Sequence, residues 1–341
     1  MKNWFWLDSF SHQLISSNDL SNMILDHNIT GLTSNPTILA NAIKNDNYYQ
    51  QVITSLTKFA PQIKYEKLVF PDIIKACQLF LPIYESSNYQ TGFVSLELDP
   101  KYTFDIDSSI SSAKQIWKYI NQPNLMIKIP ASAEGIIVAQ ELLMLGMNIN
   151  LTLIFNIEQL LSFWQAYITA IKYRDQHSLP LSVRAVVSFF ISRLDAVADN
   201  FLPHDLQGKT AVNLALTAYQ HYKNIYSLDN DLWQYLHTKK AIPPHLLWAS
   251  VGVKNSKYDQ DKYLKELYLT DTIFTLPNNL VGNKPQDYID NDNLNRANGI
   301  IQAIDDNLQQ QNKSIQIFTK ELFDQAVMSF QKSFKELMAL L

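Results

Sequence analysis

Leu125-Met126-Ile127-Lys128-Ile129-Pro130 sets one lysine inside an otherwise apolar run with β-branched residues. A parallel strand buried on both faces requires runs of this kind. Seven further segments share the character. Asn3–Asp8, Thr30–Ser34 and Phe93–Leu98 precede it, and Asn148–Phe155, Ala185–Phe190, Leu246–Ser250 and Thr272–Leu276 follow. Helical patterns lie between them. Asn35-Pro36 offers a cap and a first-turn proline for a helix through Ile43. After Asp72, the residues Ile73, Ile74, Ala76, Cys77, Phe80 and Leu81 share one face and bury Cys77, and Ile110, Ala113, Ile116, Trp117 and Ile120 repeat the spacing. Ile136–Leu145 runs into Gly146, a helix stop, and longer amphipathic helices are predicted over Glu158–Tyr173 and Ala211–Tyr226.

Eight strands alternating with helices predict an α/β fold, a closed (β/α)8 TIM barrel. A doubly wound open sheet is the alternative, because a strand count does not establish closure. No linker or internal repeat divides the chain, so 1–341 reads as a single domain. The Asn- and Gln-rich stretch Gly282–Gln316 reads as solvated surface with a short helix. Beyond it, Phe318, Leu322, Phe323, Val327, Phe330, Phe334 and Leu337 form a stripe on a last helix that packs on the barrel.

The 341 residues are 47% hydrophobic and 18% charged, enough for a sizeable core. Lys and Arg number 28 against 32 Asp and Glu, a net charge of −4 that argues against a general polyanion or nucleic-acid binder but not against a local basic pocket. One cysteine excludes an intramolecular disulfide framework and a Cys-rich metal site. The eight glycines never stand two apart, so G-x-G-x-x-G is absent, as are G-x-x-x-x-G-K, H-E-x-x-H and G-x-S-x-G. Met1–Phe10 is too short an apolar run for a signal peptide, and no stretch approaches the roughly 18 residues of a membrane helix. A cytoplasmic protein without a membrane association is the default expectation.

In a barrel, chemistry sits at the C-terminal ends of the strands. Polar residues embedded in strand runs are therefore informative, since an unpaired buried charge is expensive. Lys128 is either an edge or snorkelling lysine, or a desolvated amine with a lowered pKa that attacks carbonyls. Glu97, in Ser95-Leu96-Glu97-Leu98, is either a structural ion-pair partner or an acid/base. Asp8 closes the first run and could equally be a helix cap. Asn150 and Thr152 share strand parity, so they line one pocket or form a structural pair. Asn35 is a helix cap at least. One lysine, two carboxylates and two amides at the ends of different strands would supply nucleophile, acid/base and oxygen binding for carbonyl chemistry.

These residues sit in segments that resemble the transaldolase family, in its longer bacterial type. The segments are WLDS (Asp8), TGLTSNPTIL (Thr33, Asn35), GFVSLELDP (Glu97), NLMIKIPASAEG (Lys128), NINLTLIF (Asn150, Thr152), VVSFFISRLD (Ser188, Arg193) and LLWASVGVKN (Ser250, Lys254). They occur in family order along nearly the whole chain. The resemblance implies a Schiff-base barrel that moves a dihydroxyacetone unit from sedoheptulose 7-phosphate or fructose 6-phosphate to glyceraldehyde 3-phosphate or erythrose 4-phosphate, in the pentose phosphate pathway. It implies sugar phosphates as partners, and no metal or organic cofactor. Carried over, Lys128 forms the imine and Asp8 is the acid/base at the C4 hydroxyl. Glu97 acts through a water that Thr152 orders. Thr33, Asn35 and Asn150 belong with substrate binding, and Ser188, Arg193, Ser250 and Lys254 with the phosphate.

Two departures stand out: His12 occupies a position where arginine is common, and the segment after Pro277 lacks the family's acidic and His-Gly features. Two other functions compete. An aldolase releasing free dihydroxyacetone is the nearer, although such relatives are shorter and carry glutamine at the position of Glu97. A non-catalytic sugar-phosphate-binding barrel is the other. The oligomeric state, a homodimer included, is left open.

Overall fold

Strand β1 (Trp4–Asp8) pairs with β2 (Ile29–Thr33) on one side and β8 (Ile273–Leu276) on the other, and this double pairing closes the sheet. Between them run β3 (Phe93–Glu97), β4 (Leu125–Pro130), β5 (Ile149–Ile154), β6 (Ala185–Phe190) and β7 (His245–Ala249). All pairs are parallel and neighbours follow chain order, so the architecture is the (β/α)8 barrel and not the open sheet. The computed structural model describes residues 3–341, so the expected domain boundary at Met1 lies outside the described residues. Both faces of the strands are buried, which explains why the apolar runs are near-continuous instead of alternating.

The barrel interior is filled by side chains. Trp6 is fully buried, and its indole Nε1 donates to Thr91 Oγ1 at 3.1 Å. Opposite it stands Gly31, where an added Cβ would lie 2.6 Å from Trp6 Nε1. Glycine is required in β2 at that point because the indole occupies the space a side chain would take.

Three helical expectations need correction. The segment after Asp72 is not a helix of its own but the middle of Pro61–Ser86, which carries Pro71 and Pro82 internally. Each proline removes a backbone donor, but packing of the apolar face, with Cys77 fully buried, holds the helix together. Asp72 is buried within it, taking the Tyr49 hydroxyl at 2.6 Å and standing 2.9 Å from His12 Nδ1. The polar stretch after Gly282 contains a 19-residue helix, Asn291–Gln309, which buries only Ala297, Ile304 and Leu308. Spaced apolar contacts suffice to dock a helix whose composition reads as surface. The last helix, Ile315–Leu340, buries the expected stripe except Phe323, which is only partly covered. It packs against the helix Pro36–Asn45, where Thr37 Oγ1 lies 2.9 Å from Ser333 Oγ, and so reaches the C-terminal rim of the barrel. Among the described residues, no helix is long and apolar enough to cross a membrane.

Gly31→Ala should destabilise the protein by about 1–3 kcal/mol, since the fixed indole leaves no room for a methyl group. The urea midpoint reads the effect, and an unchanged midpoint would mean that Trp6 yields freely.

Candidate active site

Three adjacent strands bring the central charges together. Cα register pairs Glu97 with Lys128 across β3 and β4, and Lys128 with Asn150 across β4 and β5. Lys128 is 4% exposed and lies between two strands, so it is neither an edge nor a snorkelling lysine. Its Nζ stands 3.1 Å from Glu97 Oε2 and donates to the Ser34 carbonyl at 2.9 Å. Among the described residues neither Glu97 oxygen has a hydrogen-bond partner beyond this ion pair. Burial pushes the Glu97 carboxyl above the usual carboxylate range; Lys128 opposes that rise and Asp8 adds to it.

Asn150 is fully buried beside this pair. Its amide donates to Ser95 Oγ at 3.0 Å, and its carbonyl accepts from Ser188 Oγ at 2.7 Å. Ser188, grouped by the resemblance with the phosphate residues, thus bonds directly to Asn150. Thr152, two residues along β5, is fully buried and its hydroxyl has no partner among the described residues. The next residue, Leu153, has φ of 59°, a left-handed conformation that costs a branched side chain energy, and the strand register shifts there. Gln159 holds this kink. Its Nε2 donates to the Ala131 carbonyl at 2.9 Å and the Leu153 carbonyl at 3.3 Å, while its Oε1 accepts from Phe155 N at 2.9 Å.

Asp8 ends β1 in register with Thr33 of β2. Burial raises its carboxyl as well, against the pull of Lys128 and then Lys254. Asn35 caps the helix Pro36–Asn45, its Oδ1 accepting from Ile38 N at 3.0 Å. The amide nitrogen is the group left to bind a ligand, so cap and pocket residue are one side chain.

Arg193 belongs to the helix Ser192–Ala198 just past β6, with its guanidinium 5.9 Å from the Phe190 ring. Lys254 is exposed in the loop beyond β7. Neither has an ion-pair partner among the described residues; Asp195 instead accepts from Ala211 N and Tyr263 Oη. Burial lowers the Arg193 pKa. Burial lowers that of Lys254 too, and Arg193 lowers it further, while Asp8 pulls the other way. Ser250 has φ of 57°, and its Oγ lies 3.3 Å from that of Ser192.

These groups share one pocket of about 380 Å³, lined by Asp8, Thr33, Asn35, Lys128, Thr152, Ser188, Arg193, Ser250 and Lys254. Glu97 and Asn150 lie behind the lining, in contact with Lys128 and Ser188. Phe190, Thr275 and, from the last helix, Ser329 and Phe330 complete the wall. A roomier groove of about 830 Å³ between the helices Thr210–Ile225 and Asn291–Gln309 holds none of these residues. Sequence reading passed over Ser95, Ser34, Ser192 and Gln159. Ser95 shares parity with Glu97 and could have been found on that basis. The others act through a backbone carbonyl, across a loop, or as support for a kink, none of which leaves a pattern in sequence.

A closed parallel barrel with a buried lysine and converging polar groups at its C-terminal mouth defines a (β/α)8-barrel enzyme. The family model described as transaldolase/fructose-6-phosphate aldolase matches residues 5–341. A transaldolase of Thiobacillus denitrificans is 36% identical over 282 residues, covering 80% of this chain and 78% of the relative. Transaldolase 2 of a Nostoc species is 35% identical over 291 residues, covering 80% and 76%. A transaldolase of Neisseria gonorrhoeae is 36% identical over 275 residues, covering 80% and 78%. The chain belongs to the transaldolase/fructose-6-phosphate aldolase family.

The buried pair has a stability signature. Lys128→Met should cost about 3–5 kcal/mol, because it leaves Glu97 uncompensated. Glu97 has a raised folded pKa, so its contribution is present at low pH and is lost as pH rises through that pKa. The loss should be deeper in Lys128→Met, whose urea midpoint should recover on going from about pH 8 to about pH 5. Adding Glu97→Gln should restore most of the stability at neutral pH. A double variant no more stable than Lys128→Met would mean that the pair does not govern the effect.

Proposed function

We propose that the chain is a transaldolase that carries a dihydroxyacetone unit on Lys128, from sedoheptulose 7-phosphate or fructose 6-phosphate to erythrose 4-phosphate or glyceraldehyde 3-phosphate. The observation that carries this reading is the Lys128 amine, buried at the mouth of the barrel 3.1 Å from a carboxylate. Glu97, already biased toward its protonated form, can take the lysine's proton and free the amine. The amine adds to the donor's ketone, and loss of water from the carbinolamine, assisted by Glu97 through a water held by Thr152, gives the imine. Asp8 then removes the C4 hydroxyl proton. The C3–C4 bond breaks, the aldose phosphate leaves, and the electron pair is delocalised into the imine as an enamine. Attack of the enamine on the acceptor aldehyde, with Asp8 returning the proton, and hydrolysis of the new imine complete the transfer. Asn35, Thr33 and the Asn150–Ser188 pair would hold the hydroxyls of the three-carbon unit. Arg193, Lys254 and Ser250 would hold the phosphate, Arg193 by two parallel bonds and Lys254 as a point charge. We take the enzyme to be cytoplasmic and its chain to form one barrel domain.

Fructose 6-phosphate should be consumed only when erythrose 4-phosphate is present. Free dihydroxyacetone without acceptor would instead support an aldolase, and no turnover a binding barrel. Borohydride with fructose 6-phosphate should trap the adduct on Lys128, read by peptide mass spectrometry; label on another lysine would overturn the assignment.

The carboxylate roles separate kinetically. Asp8→Asn should slow carbon–carbon cleavage by about 10²–10⁴-fold while imine trapping survives. Glu97→Gln should slow trapping itself, and the reverse pattern would exchange the roles. Because the Asp8 pKa is raised and the base form must act, the acid limb of kcat/KM should lie above the ordinary aspartate value of about 3.9. Arg193→Ala should raise KM for fructose 6-phosphate by a charged hydrogen bond's worth, about 1.5–3 kcal/mol, with little effect on unphosphorylated fructose.

A further inference from the structure

Arg193 and Lys254 repel each other, and the smaller pull of Asp8 on Lys254 does not cancel that repulsion. Electrostatics alone would therefore separate them. Lys254 rides on the segment from Ser250 to Asp261, which has no regular secondary structure. Something other than charge must hold that loop beside Arg193.

Two tyrosine hydroxyls make the connection. Tyr258 Oη donates to Asp199 Oδ2 at 2.6 Å, and Tyr263 Oη donates to Asp195 Oδ2 at 2.9 Å. Asp195 lies on the helix Ser192–Ala198 that carries Arg193, and Asp199, one turn later, opens the 3-10 turn that continues it; Tyr258 belongs to the Lys254 loop and Tyr263 to the short helix Lys262–Glu266 that ends it. Each carboxylate is itself fixed by a backbone amide at 2.7 Å, Asp199 by Gly208 and Asp195 by Ala211. The Tyr258 ring lies flush on Gly208, where an added Cβ would come within 2.9 Å of its Cζ. The Lys262 ammonium covers the Tyr258 and Tyr263 rings at 5.5 and 5.1 Å.

We infer that Tyr258, locked between Asp199 and Gly208, is a positioning residue that seats the Lys254 loop beside Arg193 and so sets the spacing of the anion-binding cations. The inference rests on the proposed reading of Arg193 and Lys254 as the phosphate site. Tyr258 does not line the pocket, so it acts only through the loop.

Tyr258→Phe removes one hydroxyl and keeps the ring. It should raise KM for fructose 6-phosphate and the inhibition constant of inorganic phosphate together, by about threefold to tenfold, as the loss of one hydrogen bond allows. Saturated turnover and borohydride trapping on Lys128 should stay unchanged. Gly208→Ala, which pushes the ring off its seat from the other side, should reproduce the shift. Arg193→Ala serves as the reference for the phosphate site. If Arg193→Ala weakens phosphate inhibition and Tyr258→Phe does not, the positioning role is wrong and the phosphate site stands. If Arg193→Ala leaves phosphate inhibition unchanged, the phosphate site is wrong and the inference falls with it. If Tyr258→Phe lowers turnover, trapping and melting temperature together, the tyrosine serves the fold and the inference is overturned.

Discussion

Barrel closure leaves the Lys128 ammonium only 4% exposed on the pocket wall, with little water to solvate it, and much else at the mouth answers that constraint. An isolated charge in such a place is prohibitive, so a counter-charge must stand on a neighbouring strand. Glu97 is that group, fixed by register at the same level of β3. The two side chains meet at 3.1 Å, Lys128 Nζ to Glu97 Oε2.

The two pocket carboxylates are raised for the same reason, burial, but differ in what restrains them. Lys128 restrains both, and Lys254 reaches only Asp8. Asp8 adds to the rise at Glu97. A carboxyl whose pKa is raised holds a proton more tightly than an exposed one, which suits the acid/base work proposed for both groups.

Much of this was legible in sequence because buried parallel strands leave a strong pattern, and a charge inside such a strand violates it visibly. Lys128 and Glu97 stand out as such charges, and Asn150 and Thr152 as polar side chains in the same kind of run. Parity correctly put Asn150 and Thr152 on one face, but nothing in NINLTLIF announces the left-handed turn at Leu153 or its support by Gln159. The one-face pattern read after Asp72 covers only the middle of Pro61–Ser86, and a polar composition hid the length of Asn291–Gln309. Both failures have one cause: local propensity is weak beside tertiary packing. Arg193 and Lys254 were legible only through family motifs, because a cation beyond a strand end carries no signal until the fold brings a second one to the same pocket.

The placement of strain follows the same division between strand and loop. Leu153 and Ser250 are both non-glycine residues in left-handed backbone, with φ of 59° and 57°, and each stands at the pocket end of a strand. Strain of this kind costs on the order of 1–3 kcal/mol per residue and persists only where surrounding contacts over-determine it. At Leu153 the Gln159 amide supplies those contacts; at Ser250 the Ser192 backbone amide does, donating to the Ser250 carbonyl at 3.1 Å. Relaxed backbone at either point would continue the strand and turn the next side chain toward the helical layer or the barrel axis. At Leu153 the register of β5 shifts one residue before the strand ends, and Ser250 follows the last residue of β7, so Thr152 and Ser250 stand at the pocket wall where the chain leaves the sheet. The barrel thus fixes the buried groups through register, and the strained Ser250 hands the chain over to the loop that carries Lys254.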